Sequence, residues 1–200
     1  PQTQLPEGVW GHLPEADGER LRHAAAHYYG GQPEQLAVTA GAQAAIQLLP
    51  HCLNARRVAV VTPTYSEHWA SWQRAGATLE ALPLARAEDF APRSRELLEA
   101  ANHYDAVVLG QPNNPTGTRW PHGILAEAAD RLAARGGHLV VDAAFADADG
   151  EALPPLPDAH PGVVILRSLG KFFGLPGLRL GWLQAEASIA GRLREAAGPW

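Results

Sequence analysis

The chain has 200 residues, 46% of them hydrophobic and 18% charged, the make-up of an ordinary globular domain long enough to bury one sizeable core. A net charge of -5 and an isoelectric point near 6.0 exclude a broadly basic surface, so a small soluble ligand is the expected partner, with no nucleic acid and no membrane. Cys52 has no internal disulfide partner, no stretch is apolar for long enough to span a bilayer or act as a signal peptide, and a cytoplasmic protein is expected. With no methionine and a start at Pro1, the sequence is expected to be part of a longer translated chain.

Short β-branched runs alternate with longer segments of helical period, and turn residues mark the junctions. A helix is predicted from Glu19 to Tyr29, stopping at Gly30-Gly31; a short strand from Leu36 to Thr39 leads to an alanine-rich helix from Ala42 to Leu49. The run Val58 to Val61 reads as a buried strand. A Trp-bearing helix (Tyr65 to Ala75), a strand (Thr78 to Leu82), a helix (Arg93 to Asn102) and a strand (Ala106 to Leu109) follow. The helix from Ile124 to Arg135 ends at Gly136-Gly137, and Leu139 to Val141 and Val163 to Leu166 supply two more apolar strands. The stretch from Gly150 to Gly162, with its four prolines, reads as a surface connection. Continuous apolar strands imply a sheet covered on both faces, hence an α/β fold with a mostly parallel sheet flanked by helices.

Polar and glycine-rich segments follow the strand C-terminal ends: Thr62 to Tyr65 after Val61, Gly110 to Asn114 after Leu109, Asp142 after Val141, and Ser168 to Lys171 after Arg167. In open α/β sheets that edge binds ligands. Gly170-Lys171 is not a nucleotide P-loop, because Ile165 stands where its first glycine belongs and Phe172 where its Ser/Thr belongs, and no G-x-G-x-x-G occurs. What remains is Lys171 between Ser168 and Arg179. A lysine in apolar surroundings beside another cation loses its proton more readily and becomes a usable nucleophile.

Through Asn113-Asn114-Pro115-Thr116-Gly117, Asp142 and the segment from Ser168 to Gly181, the sequence resembles fold type I pyridoxal-phosphate (PLP) enzymes of the aminotransferase class I/II superfamily, with motif order and spacing matching over nearly the whole chain. Within that superfamily its wording at 40–47, 63–68, 110–117 and 169–175 is most similar to the threonine-phosphate decarboxylases of cobalamin biosynthesis, and next to the histidinol-phosphate aminotransferases.

The resemblance implies a PLP-transferase-like large domain over 19–186, preceded by a connecting segment (1–18) and followed at 187–200 by the start of a connection to a small domain absent from this chain. It implies pyridoxal 5'-phosphate as cofactor, held as a Schiff base by Lys171, which afterwards moves the proton. Asp142 pairs with the ring nitrogen, where each pKa unit of stabilisation is worth about 1.4 kcal/mol to the protonated electron sink. A helix cap is the plain alternative for this aspartate. Asn114 donates to the phenolic oxygen, unless Asn-Asn-Pro only shapes a turn. Tyr65 stacks on the ring or serves as a core anchor. The phosphate is bound by the backbone amides of Ala42 and Gln43 after Gly41, by Ser168 and by Arg179.

Two departures stand out. Many relatives carry a tyrosine where this chain has Phe145, which removes one hydrogen bond to the phenolic oxygen. Many also carry a tyrosine reaching the neighbouring subunit's phosphate where this chain has Leu13. The expected arginine for the substrate carboxylate belongs to the small domain, beyond Trp200. His23 and His27 share a helix face without further ligands, and Asp147 to Gly150 holds only part of a calcium loop and reads as solvent-exposed.

The expected reaction is decarboxylation of L-threonine O-3-phosphate, a small phosphorylated amino acid, to (R)-1-amino-2-propanol O-2-phosphate, with a homodimer as the full-length form. The bond that breaks is the one held perpendicular to the ring, so orientation of the substrate chooses the reaction. A histidinol-phosphate-type aminotransferase uses the same Lys171, Asp142 and Asn114, and a non-catalytic PLP-binding sensor is a third reading.

Overall fold

Residues Leu36–Ala40 (β1), Arg57–Thr62 (β2), Thr78–Pro83 (β3), Ala106–Gly110 (β4), His138–Asp142 (β5), Val163–Ser168 (β6) and Leu180–Gln184 (β7) hydrogen-bond into one sheet of order β1-β7-β6-β5-β4-β2-β3. The computed structural model describes residues 8, 11–13, 15, 17–149 and 160–198. Strands β3, β2, β4, β5 and β6 run parallel, and β7 is antiparallel to both β6 and β1. The α/β class and the mostly parallel, helix-flanked sheet therefore hold. Helices Glu19–Tyr29 (α1), Ala42–Cys52 (α2), Ser66–Arg74 (α3), Ser94–His103 (α4), His122–Ala133 (α5) and Ala187–Ala197 (α6) cover it.

Period-two alternation along the strands divides the interior into two layers. Val58, Val60, Val108, Val140, Val164 and Leu166 face α2, α3 and α6 through Ile46, Leu49, Trp72, Ile189 and Leu193. Their neighbours Ala59, Val61, Val107, Leu109, Val141 and Ile165 face α4 and α5 through Leu97, Leu125 and Leu132. That double burial is why these strands read as unbroken apolar runs. Truncating one of the fully buried leucines to alanine costs about 2–5 kcal/mol. A third, smaller cluster packs Ala25 and Ala26 of α1 against Leu36 and Trp182.

Two elements were not foreseen. β7 carries Gly181 as its second residue, and α6 occupies residues expected to be a connection. Helix α2 also continues past Leu49 to Cys52, because buried Pro50 and Cys52 keep its last turn against the core although proline donates no bond there. Cys52 is buried and free. Except for 160–162, the proline-bearing connection at 150–162 lies outside the described residues. Among the described residues no helix is long and apolar enough to cross a membrane.

Candidate active site

Asp142 ends β5, and its side chain is 15% exposed. Oδ1 accepts the Ala144 amide at 3.0 Å, and Oδ2 lies 2.9 Å from His68 Nε2, on a ring that is 2% exposed. Burial alone pushes such a carboxyl up. The His68 bond and charge, the Ala144 amide and the Lys171 charge outweigh burial and hold Asp142 below the usual carboxylate range. His68 was missed as a functional residue, although its place one helical turn after Tyr65 was a usable signal. The two rings meet edge to face, centroids 6.1 Å apart.

Lys171 follows β6 on a bend that closes with Gly174 N–H donating to Lys171 C=O and Leu175 N–H to Leu169 C=O. Its Nζ stands 5.3 Å from the centre of the Phe145 ring, the residue found in place of tyrosine. The apolar enclosure expected around this lysine is not formed: Lys171 is exposed and Phe172 is 56% exposed, because the bend carries them off the sheet edge. Of the two asparagines after β4, Asn114 is the exposed one and is presented outward. Asn113 is 3% exposed and structural: it donates to Pro63 C=O at 2.9 Å and Thr116 Oγ1 at 2.7 Å and accepts from Thr64 Oγ1 at 3.0 Å, tying the loop after β4 to that after β2.

At the other end, Gly41 opens α2 with φ 79 and ψ 161, and no side chain caps the helix. Its first amides, those of Ala42 and Gln43, therefore have no intrahelical acceptor, the arrangement that suits an anion. A Cβ on Gly41 would lie 2.9 Å from the Arg179 guanidinium, so that cation stands beside the start of α2. Ser168 is the cross-strand partner of Gly181, and a Cβ on Gly181 would strike the Ala42 amide nitrogen and lie 2.8 Å from the Gly41 carbonyl carbon. Glycine at 181 thus lets β7 carry the first turn of α2 against Ser168. Two uncapped amides, a guanidinium and a hydroxyl form a donor set that suits a phosphate, so these residues fit PLP at its phosphate end. Tyr65 is 40% exposed at the start of α3, and its hydroxyl donates to Gln43 Oε1 at 2.9 Å.

Lys171, Asp142, Asn114, Tyr65 and the donor set around Gly41 all come from the C-terminal edge of the parallel strands or the loop from β1 to α2. A cavity of about 610 Å³ between β3 and α4, lined by Arg57, Glu80, Arg95, Glu99, His103 and Tyr104, shares no residue with them. His23 and His27 lie on exposed positions of α1, and no metal-ligating cluster occurs among the described residues. Asp147 is not solvent-exposed as expected: it is half-buried and accepts the Tyr29 hydroxyl at 2.9 Å, because α1 folds over the segment after β5. Leu13 is 76% exposed.

Residues 11–200 match the family described as aminotransferase class I and II. The chain belongs to that family. Its members are PLP-dependent, in keeping with the phosphate-type donor set. This class I/II chain is 38% identical over 196 residues to threonine-phosphate decarboxylase of Pseudomonas aeruginosa, covering 98% of this chain and 55% of that protein. It is 28% identical to histidinol-phosphate aminotransferase of Pyrococcus furiosus, covering 94% of this chain and 54% of that protein. Thus the chain spans about half the length of the curated relatives it matches. The fold superposes on histidinol-phosphate aminotransferase from Clostridium acetobutylicum with TM-score 0.82 at 20% identity, over 97% of this chain and 59% of that one. An aspartate aminotransferase variant from Thermus thermophilus gives 0.80 at 22% identity, over 98% and 61%.

Proposed function

We propose that the full-length protein containing this chain is a PLP-dependent threonine-phosphate decarboxylase. It takes L-threonine O-3-phosphate to (R)-1-amino-2-propanol O-2-phosphate and carbon dioxide, within cobalamin biosynthesis, as a cytoplasmic homodimer. Residues 19–186 serve as its large, cofactor-binding domain. The observation that carries the reading is the meeting, at one sheet edge, of a lysine, an ionised buried aspartate and a phosphate-type donor set, in a chain 38% identical to a threonine-phosphate decarboxylase.

When bound, PLP supplies an electron sink for the bonding pair left at the substrate's α-carbon. The chain's own residues do the rest. Lys171 Nζ holds the cofactor covalently and then carries a proton. Ionised Asp142 keeps a proton on the ring nitrogen, and His68 keeps Asp142 ionised and oriented. Asn114 donates to the phenolic oxygen, and Phe145 leaves that oxygen one donor short of the tyrosine-bearing relatives. Arg179, Ser168 and the Ala42 and Gln43 amides bind the phosphate, and Tyr65 faces the ring.

The second reading, a histidinol-phosphate-type aminotransferase, has support from relatives at 27–31% identity. Full-length protein incubated with L-threonine phosphate is expected to release carbon dioxide without any keto acid. Glutamate produced or consumed in step with a keto acid, with no release of carbon dioxide, supports the aminotransferase instead. Failure of both reactions with PLP still bound supports a sensor. Borohydride trapping followed by mass spectrometry is expected to put the pyridoxyl group on Lys171, and an adduct anywhere else overturns the assignment of that lysine.

A further inference from the structure

The first turn of α3 sends three side chains in three directions. Tyr65 stands at the candidate ring site, His68 reaches back to Asp142, and Glu67 turns towards α2. Glu67 Oε2 accepts from Gln43 Nε2 at 2.9 Å and from Arg74 at 3.1 Å. Gln43 Oε1 accepts in turn from the Tyr65 hydroxyl at 2.9 Å. A carboxamide has one donating and one accepting end, and its partners decide which way it points. A carboxylate only accepts, so Glu67 draws the NH2 end of Gln43 towards α3 and leaves the oxygen facing the phenol. The bonds from Arg74 and Gln43 hold the Glu67 carboxyl below the usual range, which keeps it an acceptor at neutral pH.

Gln43 has two tasks in this arrangement. Its backbone amide belongs to the uncapped first turn of α2, and its side chain restrains the Tyr65 ring. We infer that Glu67 is a positioning residue that acts through Gln43 on Tyr65, fixing the tilt of the ring over bound PLP and coupling it to the phosphate end of the site. This rests on the PLP site proposed above. A purely structural role for Glu67 accounts for little: its ion pair with Arg74 leaves the side chains 28% and 55% exposed, and exposed pairs contribute little to stability.

The test uses full-length protein and reads three quantities: the PLP dissociation constant, the visible circular-dichroism band of bound PLP, and the melting temperature of the apoprotein. In Glu67→Ala the dissociation constant is expected to rise about five-fold and the dichroic band to weaken. The apoprotein melting temperature is expected to move by less than about 2 °C. Glu67→Gln keeps an accepting oxygen towards Gln43 and is expected to restore most of the band. In a Tyr65→Phe background, which lacks the phenol, Glu67→Ala is expected to add nothing. An unchanged band and affinity in Glu67→Ala, or an effect that persists at full size without the Tyr65 hydroxyl, overturns the inference. Should Glu67→Ala not fold, Gln43→Leu breaks the same chain of bonds from its other end and carries the same expectations. Wild-type protein that takes up no PLP at Lys171 is a different result, which removes the underlying site.

Discussion

His68 Nε2 meets Asp142 Oδ2 at 2.9 Å, with side chains only 2% and 15% exposed, so this bond forms with little competition from water. It is what lets a buried carboxyl stay ionised against the push of burial. A carboxyl whose folded-state pKa is depressed contributes stability that is complete above its ordinary value near ~3.9 and disappears as pH falls through the folded value. Denaturant titrations from about pH 5 downwards should therefore show a shallower loss of stability in Asp142→Asn than in the parent. Equal slopes would mean that Asp142 adds nothing to the acid limb.

Gly41 couples backbone conformation to the candidate phosphate site. Its φ of 79 with ψ of 161 is a region open essentially to glycine, and a Cβ there would lie 2.9 Å from the Arg179 guanidinium. The strain of Gly41→Ala is worth about 1–3 kcal/mol. The flexible arginine, rather than the backbone, is the part that yields to the new methyl. Affinity for PLP should then fall about ten-fold, the loss of one charge-assisted bond, while affinity for pyridoxal, which has no phosphate, stays within about two-fold. Fluorescence titration of the apoprotein with both compounds separates the two outcomes, and a parallel loss of pyridoxal affinity would place the damage elsewhere.

Behind β6, away from Ser168, Arg167 is only 4% exposed, lies 4.0 Å over the Tyr29 ring, and has no hydrogen-bond partner for Nε among the described residues. Burial pulls this guanidinium below its usual value, with Tyr29 and the Asp147 carboxylate opposing. Burial and the bond to Asp147 likewise push the Tyr29 hydroxyl well above its usual range. Removing a buried charge together with its need for partners differs from removing only the partner. Arg167→Met should change stability by no more than about 1 kcal/mol in either direction, whereas Asp147→Ala, which strands both the phenol and the cation, should cost about 3 kcal/mol. Denaturation midpoints of the two variants decide this, and equal losses would show that the guanidinium contributes net stability.

What the sequence disclosed and concealed follows from how local each signal is. Strands β2, β4, β5 and β6 announce themselves because both faces are buried, and taking strand ends as the ligand edge points to Lys171, Asp142 and Asn114, whereas Arg179 is singled out as a phosphate ligand only through the resemblance to the family. β7 stays hidden because Gly181 interrupts a short apolar run, and its reason lies in α2, far away along the chain. His68 looks like any helical histidine until Asp142 arrives from 74 residues further on. Asp147 sits in a polar stretch that reads as solvated, yet its partner Tyr29 is 118 residues before it. Local pattern fixes elements and edges, while burial of polar side chains depends on elements that meet only in the fold.

Gly181 offers the sharpest steric test. Here the obstruction is backbone on two sides: the Gly41–Ala42 peptide bond, whose carbonyl carbon lies 2.8 Å from a would-be Cβ, and the Arg167 carbonyl oxygen at 2.7 Å. Neither can rotate away as a long side chain does, so β7 must separate from the first turn of α2 or from β6. Gly181→Ala should cost about 1–3 kcal/mol of stability, the usual range for overpacking a dense interior. It should also weaken PLP binding, since Ser168, the amides of α2 and Arg179 would no longer converge. The two effects have one cause, so thermal melting of the apoprotein and PLP titration should fail together. A variant that melts early yet binds PLP normally would show that the donor set does not depend on the packing of β7 against α2.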